Sequence, residues 1–402
     1  MEHLISLLGL VVFLGFAYLV SYDRLLIPWK TVAWGLGLQF ILAIFILKTP
    51  FGLAIFEWLG NTVKTFLDYS DVGAKFVFGE TFQEHFIAFK VLPTIIFFAS
   101  FIAILYHYGI LPRVVGMIRW IMMRTMKTSG AETLSCASNI FVGCTEAPLM
   151  IKPYIKYLTL SELHAIMTGG FATIAGGVMA AYIAMGISPT HLISASVMSA
   201  PAALAISKIM YPETNKSETK GEEILEIKSP YTNAIDAATN GALEGLKLSL
   251  NVGAMLIAIL GLVALINGIL GAIGQPLGLS SLSLELIFSY LLAPVAWLMG
   301  VPWQDCLQVG ILLGKKTILN EFIAYLDLKN LMAENTISPR SQIIATYALC
   351  GFSNLGTIGI QIGGISAIAP NRQQDLAKLG LRTMIAGSLA CFLTACIAGF
   401  LL

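Results

Sequence analysis

Eight stretches of this chain run for roughly one membrane thickness on mostly apolar side chains, near 4–21, 31–48, 86–108, 160–186, 189–209, 237–270, 341–370 and 378–401. A helix needs about 20 such residues to cross the hydrocarbon of a bilayer. Inside lipid every backbone polar group must be paired within the chain, so a row of apolar runs this long dictates helices. Composition points the same way. Of 402 residues 57% are hydrophobic and only 12% charged, roughly half the charge of a soluble chain. The expected fold class is an all-α integral membrane protein whose main solvent is the lipid bilayer. A net charge of +1 argues against nucleic acid as a partner. The first apolar run lacks a basic start and a small-residue cleavage site, so it reads as a retained span. The six cysteines, Cys136, Cys144, Cys306, Cys350, Cys391 and Cys396, form neither a metal-spaced pair nor a disulfide framework.

Two mixed segments read as amphipathic helices on the membrane surface, 50–69 and the Arg-bearing 111–125. Residues 283–299 fit either a surface helix or a further span. The cations set the orientation. Arg113, Arg119, Arg124 and Lys127 lie in one segment, Lys208, Lys216, Lys220 and Lys228 in another, and Arg372, Lys378 and Arg382 in a third, whereas 271–282 has no charge. Cytoplasmic loops concentrate Lys and Arg. With these spans the basic segments share the cytoplasmic side, and both termini fall on the periplasmic side.

The long polar run at 211–230 divides the chain into halves that share a plan. Each has a long span, an amphipathic helix, a polar segment and a Gly-interrupted span. The polar segments are GCTEAPL at 143–149 and GKKTILNEFIAY at 314–325; the interrupted spans are GGFATIAGG at 169–177 and CGFSNLGTIG at 350–359. TLS at 159–161 and TIS at 336–338 introduce the two interrupted spans. The expected organisation is 1–85 as N-terminal spans and surface helix, 86–210 as a first inverted repeat, 211–236 as a cytoplasmic linker and 237–402 as a second repeat. Matching interrupted segments in two halves point to an inverted-repeat transporter and its site.

Residues 130–156 read as a re-entrant hairpin with its tip at 143–148. A carboxylate at that depth, Glu146, marks a substrate or ion path; an ordinary surface loop pairing Glu146 with Lys152 or Lys156 is the alternative. Residues 303–333 repeat the design with Asn320 and Glu321 at the tip, and Lys315 and Lys316 read as structural counter-charges. Glycines 169, 170, 176 and 177 would let a helix unwind and free carbonyl oxygens for a hard cation such as Na+; Gly351 and Gly356 would do similar work near Asn354. The Asn139 amide, the Val142 and Ile174 carbonyls and the Thr173 hydroxyl fit such a cage. The same Asn139 also fits a cap, and Thr173 a bond back to its own helix. The five histidines (His3, His85, His107, His164 and His191) have no ligand spacing and read as interfacial. HExxH, GxSxG, GxGxxG and phosphate-loop patterns are absent.

Four passages, CTEAPLMIKPY at 144–154, GGFATIAGGVMAAY at 169–182, NEFIAY at 320–325 and CGFSNLGTIGI at 350–360, resemble the concentrative nucleoside transporter family, closest to its bacterial members. The likeness runs in order along nearly the whole chain. It implies a homotrimer of protomers with eight transmembrane helices and two re-entrant hairpins, in which the third and sixth helices form a scaffold and the rest moves like an elevator. It implies that Cys144, Thr145 and Glu146 face the nucleobase, with Val178 packing nearby. It also implies that Glu321 and Asn354 bind ribose, helped by Thr357 with Phe352 close, and that Asn139, Val142, Thr173 and Ile174 hold sodium. A carboxylate that accepts from two vicinal hydroxyls suits a ribose. Two departures stand out: the family commonly has Gln at the position of Cys144 and Ser at that of Thr357. A thiol offers little to a base edge, so base recognition would lean on Thr145, Glu146 and Val178, with looser discrimination between pyrimidines and purines.

The function expected is sodium-coupled symport of a nucleoside, uridine-like or purine, into the cell across the bacterial inner membrane. Proton coupling is the alternative within transport, and the oxygen-rich set at Asn139 and Thr173 favours sodium. An intramembrane enzyme using Glu146 and Glu321 as acid and base lacks a nucleophile or metal motif, and a passive channel would not accumulate substrate.

Overall fold

A computed structural model describes residues 1–215, 217–219, 230–277 and 282–402. Lys216, Lys220, Lys228 and residues 278–281, which entered the topology argument, lie outside the described residues. Among the described residues there are helices and turns and no strand.

Four helices precede the repeating part: α1 (Glu2–Leu19), α2 (Trp29–Lys48), α3 (Pro50–Asp68) and α4 (Ser70–Phe78). Thr49 caps α3, its side chain accepting from the Gly52 amide at 3.0 Å. Most of α3 is exposed, including Phe51 and Trp58, and its buried residues are Gly52, Gly60 and Leu67, as an amphipathic helix requires. The helix α4 was not anticipated.

A series of elements then occurs twice. The first copy is α5 (Leu92–His107), α6 (Ile110–Met126), α7 (Gly130–Ser138), two short 3-10 turns (Ala147–Ile151 and Ile155–Tyr157), α8 (Leu160–Ala172), α9 (Gly176–Ala184) and α10 (Pro189–Met210). The second is α11 (Ala234–Gly274), α12 (Leu284–Leu298), α13 (Cys306–Ile318), α14 (Glu321–Ala333), α15 (Pro339–Leu349), α16 (Leu355–Ile368) and α17 (Gln373–Leu401). Among the described residues seven helical stretches are long and apolar enough to span a membrane. The eighth stretch read from the sequence, 341–370, is two shorter helices, α15 and α16, with the break at 350–354. The ambiguous 283–299 segment forms α12, which packs on α13 so closely that a Cβ on Gly310 would lie 2.8 Å from the Ser289 carbonyl oxygen.

The two copies of the polar hairpin differ. In the second, α13 turns at Leu319 and Asn320 into α14, and Asn320 caps the new helix by accepting from the Ile323 amide at 3.0 Å. In the first, only α7 is an α-helix and the returning arm is 3-10 turns. Pro148 and Pro153 lie in that arm, and each removes a backbone donor and blocks an α-helical turn.

Lipid gives no hydrophobic drive for helices to pair, so small residues that allow close approach do the pairing. A Cβ on Gly241 would lie 2.7 Å from the Ala99 carbonyl oxygen, and one on Gly245 2.7 Å from Ile96 Cα. These glycines seat α11 on α5.

Both ends of the molecule are pinned by buried polar groups. At one end the starts of α7 and α8 meet the end of α10. Glu132 and Lys208 form a buried ion pair at 2.6 Å, Lys208 also donates to Ser161 at 2.9 Å, and Arg372 donates to the Leu158 carbonyl at 2.6 Å. At the other end Asp305 accepts from the Ser338 and Ser341 hydroxyls at 2.7 and 2.6 Å, and Ser6 donates to the Met299 carbonyl at 3.0 Å. His3 there pairs with the Phe400 carbonyl at 2.9 Å, so the two chain termini share this end. The described cations Lys208 and Arg372 lie at the opposite end, the division drawn from the sequence. The two polar hairpins therefore start from opposite ends.

Candidate functional site

The broken helices cross at the centre. Thr159 opens α8 with a capping box, accepting from the Glu162 amide at 3.1 Å while Glu162 accepts from the Thr159 amide at 2.9 Å. Ser338 opens α15, accepting from the Ser341 amide at 3.3 Å. The TLS and TIS triplets are thus offset: the first supplies its cap from its first residue and the second from its last. Counted from these caps, Thr173 and Phe352 occupy corresponding positions. They also touch, because the Phe352 amide donates to the Thr173 carbonyl at 3.2 Å. Ser353 adds a second link, its hydroxyl donating to the Phe171 carbonyl at 2.8 Å.

The breaks fall on Thr173–Ala175 and Cys350–Asn354. The glycines expected to unwind the first span are helical instead, at the end of α8 and the start of α9. Their role is close approach. A Cβ on Gly170 would sit 2.8 Å from Cys144 Cβ and 3.0 Å from Gln361 Nε2, and one on Gly169 2.7 Å from Cys136 Sγ.

Glu321 is the first residue of α14, where the unpaired amides and dipole of a helix N-terminus favour an anion. Its carboxylate is buried, 4% exposed. Tyr182 donates to Oε1 at 2.9 Å and Asn354 Nδ2 to Oε2 at 3.2 Å. Asn354 is in turn the cap of α16, its Oδ1 accepting from the Thr357 amide at 2.9 Å and the Thr357 hydroxyl at 3.0 Å. Lys316, 1% exposed, donates to the Ala348 carbonyl at 2.8 Å and acts electrostatically on Glu321. Lys315 pairs with Asp327 at 2.5 Å. Val178, buried, lies one turn before Tyr182 on the same face of α9. Tyr182 was missed in the sequence; its signal was the i, i+4 spacing from Val178. Phe352 packs, half-buried, against the central core.

The first hairpin tip stands at the other side of this group. Cys144 is buried at 8% exposure, Thr145 is half-buried and Glu146 is exposed. Thr145 packs on α16, where a Cβ on Gly364 would lie 2.7 Å from its Cγ2. Glu146 forms no ion pair with Lys152, Lys156 or any other described cation. It lines a cavity of about 410 Å³ between the hairpin, α5 and α11, together with Phe98, Tyr106, Lys152 and Glu244. The cavity reaches Pro230 and Tyr231, where the linker joins α11, and its size is that of a small-molecule site.

Of the four residues considered for a cation, Asn139 and Thr173 both approach Gly169, and the neighbours of Val142 and Ile174 are linked where the Gly176 amide donates to the Phe141 carbonyl at 3.1 Å. Asn139 follows α7, 1% exposed, and its Nδ2 has no hydrogen-bond partner. Turning the amide about its last bond puts an oxygen at that position. Thr173 donates to the Gly169 carbonyl at 2.8 Å, which leaves the hydroxyl's lone pairs free. No described residue donates to the Val142 or Ile174 carbonyl. This set of neutral oxygens fits a hard monovalent cation, and the orphaned amide is the observation that asks for one. His164 is fully buried, with Nδ1 2.7 Å from the Ser207 hydroxyl.

Comparison with known proteins covers the chain from end to end. Family models match in order: Na+ dependent nucleoside transporter N-terminus over 8–81, Nucleoside recognition over 88–189, and Na+ dependent nucleoside transporter C-terminus over 191–399. Solute carrier family 28 member 3 of Mus musculus is 45% identical over 414 aligned residues, covering 100% of this chain and 59% of that protein. Sodium/nucleoside cotransporter 1 of Homo sapiens is 44% identical, covering 100% of this chain and 64% of its own length. The chain thus spans about three fifths of the curated relatives it matches. The solved structure of CNTnw in an inward-facing substrate-bound state is 39% identical with a TM-score of 0.94, covering 100% of this chain and 98% of that one. A doubly substituted CNTnw in an outward-facing state has the same TM-score, 0.94, and the same coverage. These relatives are transporters. The chain belongs to the concentrative, Na+ dependent nucleoside transporter family.

Proposed function

We propose that this chain is a sodium-coupled nucleoside symporter that brings its substrate into a bacterial cell across the inner membrane. The observation that carries the reading is the Glu321 carboxylate, buried between two neutral donors. Each carboxylate oxygen accepts about two hydrogen bonds. Tyr182 and Asn354 use one on each, and the remaining capacity suits the two vicinal hydroxyls of a ribose. Asn354 and Thr357 orient the carboxylate through the cap of α16. The base then extends toward Cys144, Thr145 and Glu146, with Val178 against its face and Phe352 nearby. Asn139, Val142, Thr173 and Ile174 hold the sodium ion beside the same break.

Taking the basic end as cytoplasmic and the termini as periplasmic, the cavity beside Glu146 opens inward. The repeated series of elements, started from opposite ends, supports an elevator in which α5 and α11 stay fixed and the two hairpins with the broken helices move. The assembly in this reading is a homotrimer. Glu146 faces the cavity whereas Glu321 is buried, and the relatives are transporters, so an acid/base pair of these two carboxylates has no support.

The test is uptake of radiolabelled uridine and adenosine into proteoliposomes. Saturable accumulation driven by an inward sodium gradient is expected. Uptake that ignores sodium and follows an imposed pH gradient would replace sodium with protons. Uptake that never exceeds equilibrium would make the protein a passive channel.

A further inference from the structure

We propose that Gln361 on α16 is a specificity-determining residue whose carbonyl oxygen accepts a hydrogen bond from an N–H on the nucleobase edge. It does so beside Cys144, whose thiol offers little to a base. The assignment rests on the nucleoside reading above.

Three observations converge on it. The first is position. Cys144 Cβ and Gln361 Nε2 both crowd the same point over Gly170, at 2.8 and 3.0 Å from where a Cβ would stand. The amide and the thiol are therefore neighbours, although they come from α16 and from the first hairpin. The second is direction. Thr357, Gln361 and Ile365 are the buried residues of α16 and share one face. That face starts at the Asn354 cap beside Glu321 and continues to Gly364, on which Thr145 packs. Gln361 stands seven residues beyond Asn354, about 10 Å along the axis, which is the span of a nucleoside from its ribose hydroxyls to the far edge of its base. The third is chemistry. Gln361 is 1% exposed, Nε2 donates to the Met167 carbonyl at 3.3 Å, and Oε1 has no partner. The Met167 carbonyl can only accept, so it fixes which end of the amide is free. The free end is an acceptor, and a buried acceptor without a partner is costly. A bound base with an N–H toward α16 would satisfy it.

The partner chemistry follows from the acceptor. The imide N–H of uridine and the exocyclic amines of cytidine and adenosine all qualify. A base methylated at the donor nitrogen does not. Discrimination against a base without that N–H is then stronger than the thiol at position 144 alone would give, while uridine, cytidine and adenosine are all accepted.

The experiment is equilibrium binding of uridine, 3-methyluridine and 2′-deoxyuridine to the full chain, purified in detergent at saturating sodium. Wild-type protein is expected to bind 3-methyluridine about tenfold more weakly than uridine, the effect of one buried hydrogen bond. Gln361→Met should bring that ratio close to one and leave the uridine to 2′-deoxyuridine ratio unchanged, since the ribose end is not touched. Gln361→Asn, which withdraws the oxygen by one methylene, should act in the same direction and serves if the Met variant does not fold. A ratio that survives both substitutions overturns the proposal and leaves Gln361 as a strut between α16 and α8. Equal binding of uridine and 3-methyluridine by the wild type overturns it without any variant. Wild-type protein that binds none of the three nucleosides overturns the nucleoside reading itself.

Discussion

Glu321 carries the largest single stake in the site. Burying a carboxylate is tolerated only when it is hydrogen-bonded, and here Tyr182 and Asn354 provide those bonds. Hydrogen bonds to a charged group contribute about 1.5–3 kcal/mol each. Glu321→Gln is therefore expected to weaken uridine affinity roughly tenfold or more, measured by competition in uptake assays. A 2′,3′-dideoxynucleoside should distinguish poorly between wild type and variant, since it lacks the hydroxyls that the carboxylate accepts from; wild-type uridine affinity in the variant would remove Glu321 from the ribose site. The residues at this scale were unevenly legible. Glu321 and Asn354 were visible as polar side chains in oily surroundings. Tyr182 was signalled only by its spacing from Val178, and Gln361 not at all, because a Gln between isoleucines becomes informative only when the second half of the chain is folded onto the first.

At the scale of the element, the crossing of the two breaks matters most. The Thr173 carbonyl accepts from the Phe352 amide, so one peptide group joins the residues assigned to sodium with those assigned to ribose. A cation held at Thr173 and Ile174, as proposed, would fix the break that positions Phe352 and, two residues on, the Asn354 cap. Nucleoside affinity should rise with sodium concentration, and sodium affinity should rise by the same factor with nucleoside, because linkage is reciprocal. Asn139→Ala or Thr173→Ala should raise the sodium concentration for half-maximal uptake and leave saturating-sodium uptake less affected. A sodium dependence identical to wild type in both variants would exclude these residues from the ion site. Helix positions were legible here because apolar runs leave a chain in lipid little choice. The place of each break was less so. Glycine pairs suggested unwinding, whereas in the fold they admit Cys144, Gln361 and Cys136, a tertiary use that spacing does not reveal. The 3-10 return of the first hairpin was signalled by Pro148 and Pro153, which give its helical counterpart α14 no equivalent.

At the scale of the whole molecule, the two ends are fastened by different chemistry. The linker end depends on the Glu132–Lys208 pair, whose side chains are 2% and 6% exposed. Removing one partner of a buried pair strands the other and costs about 3–5 kcal/mol, whereas an apolar replacement of both is close to neutral. Lys208→Met should lower the thermal aggregation midpoint of detergent-purified protein markedly, and Glu132→Gln added to it, which removes the stranded charge and still accepts from the Ser129 amide, should recover part of the loss. An unchanged midpoint in Lys208→Met would show that the pair does not hold this end together. That Lys208 and Arg372 lie away from the chain termini was legible in the sequence, and the partners that fasten the ends were not, because Glu132, Lys208 and Ser161 are far apart in sequence.

The helix α11 has a property that belongs to no site. It runs for 41 residues, about 60 Å of helix against about 30 Å of hydrocarbon. Beyond Gly253, Leu256 and Val263 are buried and Asn267 bonds Glu285 and the Leu284 amide, but Ile257, Leu262, Ile269 and Ile273 remain exposed. The first part of α11 carries Asp236, Asn240, Glu244 and Lys247 and can stand in water, so the apolar part runs from Leu248 to Ile273, about 39 Å of helix, longer than the hydrocarbon by about a third and accommodated by tilt. Hydrophobic mismatch therefore acts on this element first. A thicker bilayer would let the apolar part of α11 stand more upright.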